Sequence, residues 1–117
     1  MYKNFEVIES SLEKIKEDIK NFYDPSKYHF ITINAIDLGN GKVNIKWFFA
    51  KYEVMDKPIA FSVDATYEDT IPSIVDIIPS AWLSEAELAD LFGLNIEGAK
   101  KGLFLEPDSP PAPLRRS

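Results

Sequence analysis

Phe30-Ile31-Thr32-Ile33-Asn34-Ala35-Ile36-Asp37-Leu38-Gly39-Asn40-Gly41-Lys42-Val43-Asn44-Ile45-Lys46-Trp47-Phe48-Phe49 is the stretch that decides the fold. Phe30 to Leu38 is apolar and partly β-branched, which suits a strand. Gly39-Asn40-Gly41 supplies the positive backbone angles that a tight hairpin turn requires. Lys42 to Phe49 then alternates: Val43, Ile45, Trp47 and Phe49 on one side, Lys42, Asn44 and Lys46 on the other. The two runs read as a β-hairpin. A polar loop carrying Glu53, Asp56, Lys57 and Pro58 follows. Ile59, Phe61, Val63, Ala65 and Tyr67 alternate over a third strand. Three strands with short connections predict an antiparallel sheet with one wet face.

Upstream, Ile8, Leu12, Ile15, Ile19 and Phe22 step by fours and threes, the spacing of one helical stripe. Glu9, Glu13, Lys16, Glu17 and Lys20 fill the other side, and Asp24-Pro25 ends the segment. Downstream, Thr70-Ile71-Pro72-Ser73 opens a short helical turn that runs to Ile78 and is closed by Pro79. Ser80 or Ser84 would cap a second helix ending near Phe92. Gly93 suits the left-handed residue just past that end. Ala81, Trp82, Leu88, Leu91 and Phe92 make its apolar side. Asn95 to Glu97 and Leu103 to Leu105 read as short extended pieces. The expected fold class is α+β, with two layers. A mainly antiparallel sheet is covered by the N-terminal amphipathic helix and the second helix. Residues 1–105 form this domain. Residues 106–117, with Pro107, Pro110, Pro111 and Pro113, form an extended, polyproline-like C-terminal arm.

Composition narrows the chemistry. At 117 residues there is room for one domain. Cysteine is absent, which excludes disulfides, thiolate metal sites, Cys-ligated iron–sulfur clusters and a cysteine nucleophile. The single histidine, His29, cannot build a multi-histidine metal site within one chain. A net charge of −6 disfavours nucleic acid and anionic lipid alike. No apolar run reaches the roughly 18–20 residues that span a bilayer, so direct membrane insertion is not expected. Met1 to Glu6 lacks a signal core, and an intracellular, soluble domain is the default expectation. Lys100-Lys101-Gly102 lacks the flanking residues of a phosphate loop.

Two segments are candidates for function. Glu85, Glu87 and Asp90 form an acidic group on the second helix. Glu87 and Asp90 are three apart and share a face, a spacing open to acid–base work or to an ordinary hydrated surface. The end of the chain, Pro110-Pro111-Ala112-Pro113-Leu114-Arg115-Arg116, is a stiff segment tipped with two arginines suited to carboxylates.

Three pieces occur in a fixed order: Ile71-Pro72-Ser73-Ile74, then Trp82-Leu83-Ser84-Glu85-Ala86-Glu87-Leu88-Ala89-Asp90-Leu91-Phe92-Gly93-Leu94, then Pro113-Leu114-Arg115-Arg116. Together they resemble the 30-kDa subunit family of respiratory complex I, the NADH-quinone oxidoreductase. The Glu-x-Glu-x-x-Asp-x-Phe-Gly core carries most of that resemblance. Two features depart from the family pattern. Ala86 stands where the family has an arginine between its glutamates, and Glu97-Gly98-Ala99-Lys100-Lys101 replaces its His-Pro-Asp step. In this reduced form the chain is most similar to the small homologous subunit of Ech-type energy-converting, membrane-bound nickel–iron hydrogenase.

The resemblance implies a structural, non-catalytic subunit with no cofactor, metal or catalytic residue of its own. Its implied partners are a NiFe hydrogenase-like large subunit and an iron–sulfur small subunit. Such a complex couples ferredoxin and hydrogen chemistry to ion translocation, and the chain would sit peripherally on the cytoplasmic face of the membrane. Glu85, Glu87, Asp90, Pro113, Leu114, Arg115 and Arg116 would face partners. With Ala86 in place of arginine, the acids would take their cation from a partner chain. Trp82, Phe92 and Gly93 would hold the helix in place. Another complex I-like NADH/quinone or formate-linked assembly and an independent protein-binding module are the alternatives. A carboxylate hydrolase is a third class and would require Glu87 and Asp90 to converge in a deep pocket.

Overall fold

A computed structural model describes residues 5–51 and 57–98. The expected polar loop lies partly, and the pieces at Leu103 to Leu105 and 106–117 entirely, outside the described residues. Four strands form the main sheet: β1 (Glu6–Glu9), β2 (Tyr28–Gly39), β3 (Lys42–Lys51) and β4 (Ile59–Thr66), in the order β1-β4-β3-β2. β2, β3 and β4 run antiparallel in sequence, as expected, and β1 adds parallel to β4. Asn40 and Gly41 carry φ of 57° and 77° at the β2–β3 turn, which glycine and asparagine tolerate best. Register fixes the core face: Ile33, Trp47 and Phe61 lie in one row, and Ala35, Ile45 and Val63 in the next. A bulge between Phe30 and Thr32 keeps Phe30 beside Phe49 on that same face.

Two helices cover the core face, α1 (Ile15–Phe22) and α2 (Trp82–Phe92). Ile15 and Ile19 of α1 are fully buried, and Phe22 meets Phe49 and Phe61 edge-on. The architecture is thus the α+β two-layer arrangement that the sequence predicts.

The N-terminal segment differs from expectation. Only Ile15–Phe22 is α-helical; Ile8 belongs to β1, where it pairs with Phe61. Ser10 and Ser11 separate the two elements. Their side chains compete for backbone hydrogen bonds inside a helix and favour its start. The Ser10 hydroxyl donates to Asp18 Oδ2 (2.7 Å), and the Lys14 and Ile15 amides donate to the Ser11 carbonyl. Leu12 and Ile8 still pack on the core, so the apolar stripe is real but is delivered by two elements. β1 also covers the edge that β4 would otherwise leave open.

The second sheet face is not simply wet. Phe48, Ala60, Asn44 and Ser62 are buried there, with Phe5 edge-on to Phe48 at 5.1 Å. The Asn44 amide donates to Ser62 Oγ (3.0 Å) and Asp64 Oδ1 (2.7 Å), and its oxygen accepts from Lys46 Nζ. Asn44 therefore enters this layer with its polar atoms satisfied. Ile36 and Leu38, further along β2, remain exposed.

A groove framed by the Ser73 turn and the start of α2

The chain after β4 builds a small unit around α2. β5 (Thr70–Ile71) and β6 (Asn95–Ile96) pair in parallel, reinforced by Asn95 Nδ2 donating to Thr70 Oγ1 (3.1 Å) and the Glu97 amide donating to the Ile71 carbonyl (2.9 Å). This short sheet brings the two ends of the segment together. Ile74 is fully buried and its carbonyl accepts from the Ile77 and Ile78 amides, closing a hydrogen-bonded turn; the helical turn expected from Thr70 to Ile78 is not formed, because Thr70–Ile71 pairs as β5. Pro79 does not close that turn but opens a 3-10 turn, Pro79–Ala81, that runs straight into α2. Proline fits the first turn, where its missing N–H has no partner to lose. Neither Ser80 nor Ser84 caps the helix: Ala81 holds the N-cap position without a side-chain bond. Phe92 ends α2, and Gly93 follows in the left-handed region at φ 69°.

The acidic group divides. Glu85 is 2% exposed and Asp90 5%, while Glu87 is at the surface. Glu87 and Asp90 thus lie in different settings, one exposed and one buried, and neither lines the groove beside Glu85. Glu85 finds hydrogen-bond donors inside the chain, though no paired cation among the described residues. The Ser73 hydroxyl donates to Oε1 (2.7 Å) and the Ile74 amide to Oε2 (2.8 Å). Ser73 Oγ in turn accepts from the Val75 amide (3.2 Å). Two of the sequence pieces, Ile71 to Ile74 and Trp82 to Leu94, thus meet at one carboxylate. Burial pushes the Glu85 carboxyl above its ordinary range; the two hydrogen bonds oppose the rise, Asp76 adds to it and Lys16 reduces it.

Glu85 lies at the edge of a groove of about 550 Å³, lined by Lys16, Ser73, Val75, Asp76, Trp82, Glu97 and Gly98. Lys16 of α1 and Asp76 of the turn pair across it at 3.0 Å. Hydrogen bonding to Asp76 raises the Lys16 ammonium, and the same bond lowers the Asp76 carboxyl. Both groups are exposed, so the pair marks a position more than it stabilises one. Trp82 is 49% exposed and Leu83 48%. The expected placement of Trp82 on the buried side of α2 does not hold. Because Pro79–Ala81 leads directly into the helix, Ala81 takes the buried position and Trp82 turns to the groove. Ala86, Leu88 and Ala89 fill the inward face instead. Among the described residues no cluster of metal-ligating side chains occurs, and no helix is long and apolar enough to cross a membrane. The arm residues Pro113, Leu114, Arg115 and Arg116 lie outside the described residues.

This is an α+β sheet domain carrying a helix whose acid is hydrogen-bonded to the preceding turn and whose aromatic stands at the surface. The chain belongs to the family of the 30-kDa subunit of respiratory-chain NADH dehydrogenase, whose model matches residues 7–117. Among solved structures it is similar to a chain of the membrane-bound sulfane sulfur reductase, an archaeal respiratory membrane complex. That match has a TM-score of 0.73 and 20% identity, and covers 97% of this chain and 71% of that one. It is also similar to a trypsin-resistant fragment of Nqo5, with a TM-score of 0.67 and 19% identity, covering 80% of each chain. No curated protein matches the chain. The family resemblance read from the three sequence pieces holds; its narrowing to the Ech-type hydrogenase goes beyond what these likenesses show.

The groove itself is not legible in the sequence. The signal available is Pro79, whose preference for a helix's first turn places Trp82 one step away from the buried stripe. Ser73 is a second signal, because a hydroxyl beside an anchored isoleucine is a natural donor to a buried acid.

Proposed function

We propose that this chain is a structural, non-catalytic subunit of a complex I-related respiratory assembly, and specifically of an energy-converting nickel–iron hydrogenase. The family match over residues 7–117 carries the first part. The absence of cysteine supports the non-catalytic part, because thiolate-held clusters must then lie in other chains. The hydrogenase assignment rests on the reduced motif, with Ala86 between the glutamates and Glu97-Gly98 after Phe92-Gly93-Leu94. In this role the chain sits beside a NiFe hydrogenase-like large subunit and an iron–sulfur small subunit, at the membrane only through the complex. Glu87, at the surface of α2, and the arm residues Pro113, Leu114, Arg115 and Arg116 face those partners. Glu85 and Asp90 act from within the domain, by holding the surface that the partners meet.

The test is purification of the tagged full-length chain from native membranes. A NiFe-type large subunit and an iron–sulfur subunit are expected in fixed ratio with it, together with hydrogen evolution from reduced ferredoxin. Recovery of the chain alone sinks the reading. The likeness to the sulfane sulfur reductase complex favours one alternative, a complex I-like assembly with a different terminal reaction. Copurified subunits that reduce sulfane sulfur and evolve no hydrogen would establish that alternative.

A further inference from the structure

We infer that the groove at Trp82 is a docking site for a basic side chain, flanked by apolar residues, from a neighbouring subunit. The inference rests on the reading of the chain as part of a larger complex. Trp82 and Leu83 are consecutive and half exposed, and they stand among the few large hydrophobic side chains that reach the surface of the described residues. Their positions are set by Pro79 and by the Glu85 bonds to Ser73 and Ile74, so little freedom is lost when a partner covers them.

Charge selects the partner. Among the described residues, the groove lining carries Asp76, Glu85 and Glu97 against Lys16. Lys16 is already held by Asp76, and it also feels Glu97 and Glu85. A second cation entering the groove meets more acidic than basic lining residues among those described, with Glu97 outside the Lys16–Asp76 pair, beside the half-exposed Trp82. Arginine suits this setting best: its planar guanidinium stacks on tryptophan and forks to carboxylates. An anionic ligand or an anionic lipid surface would be repelled. The volume of about 550 Å³ accommodates one long side chain and the apolar neighbours that seal it. This is the anatomy of an interface anchor, an aromatic and an arginine enclosed by apolar contacts.

The experiment uses the native complex, with Leu83→p-benzoylphenylalanine as an internal photocrosslinker and mass spectrometry of the product. The expected result is one crosslinked segment of another subunit, with arginine or lysine within a few residues of the link. In parallel, Trp82→Ala combined with Glu97→Lys is expected to lower recovery of the chain with the complex by about tenfold. The isolated variant should keep its melting temperature, since both side chains are exposed. A crosslink confined to this chain, including residues 99–117, or to a second copy or to lipid, overturns the proposal. So does an assembled complex that gives no crosslink, or one that retains the double variant fully. If the unsubstituted chain does not copurify with other subunits, the broader reading as a subunit fails first and takes this one with it.

Discussion

At the residue scale, Glu85 governs the second half of the chain. It ties the Ser73–Ile74 turn to α2 through two hydrogen bonds made in a buried setting. Glu85→Ala strands the buried Ile74 amide and should cost about 1–3 kcal/mol, read by denaturant unfolding. Glu85→Gln keeps an acceptor for that amide and a group that can donate to Ser73, so it should cost much less. The two variants also separate through pH. The native carboxyl titrates above its ordinary range, so the folded chain binds a proton that the unfolded chain has already released. This contribution is fully present below the unfolded pKa and is lost as pH rises through the raised folded value. Relative to Glu85→Gln, the parent chain should therefore gain stability on acidification from about pH 7 toward pH 4. Parallel melting curves that show no such divergence would refute the assignment. Gly93 is the other decisive residue: at φ 69° a β-branched side chain is strained, and Gly93→Val should cost about 1–2 kcal/mol in the same assay.

Elements are legible in proportion to their period. The β2–β3 hairpin can be read because Val43, Ile45, Trp47 and Phe49 alternate and Asn40-Gly41 permits the turn. β1 cannot: four residues with two exposed glutamates carry no period, and Ile8 happens to continue the stripe of α1. What makes it a strand lies far along the chain, at the edge of β4. The ladder gives a sharp test. The Glu6 and Ser10 amides donate to the Pro58 and Ser62 carbonyls, so the alternation directs the Ile8 amide toward β4 and the Val7 amide outward. Ile8→Pro should lower the melting temperature markedly, and Val7→Pro should be nearly neutral. Equal effects would contradict the register. α2 is half legible. Its end at Phe92-Gly93 follows from the sequence, but its start does not, because Pro79 and a 3-10 turn replace the serine cap. That shift moves Trp82 from the expected core to the groove wall.

At the scale of the molecule, the family and the two-layer fold are readable, while the groove is not. A groove is made of residues from α1, the Ser73 turn, α2 and the end of β6, and no single window of sequence contains them. The same logic ranks the interactions that hold these parts together. The Lys16–Asp76 pair is exposed on both sides, so Lys16→Ala should leave the melting temperature unchanged, whereas Ile74→Ala should lower it strongly, by about 2–5 kcal/mol of stability. Deleting residues 106–117 belongs to this scale as well. It should leave the folding of the domain intact and weaken its retention in the complex, measured by recovery from native membranes.

The pairing of β1 with β4 also sets an order of events during synthesis. Glu6 to Glu9 leaves the ribosome well before its partners Ile59 to Ser62, which follow only after α1, β2 and β3 have been made. The hairpin closes from its own neighbours, whereas the first strand must wait and then return across a long loop, which is entropically slow. A strand made early is therefore among the last to be fastened. In that interval β4 presents a bare edge of the kind that invites strand pairing, and the docking of a four-residue strand closes it.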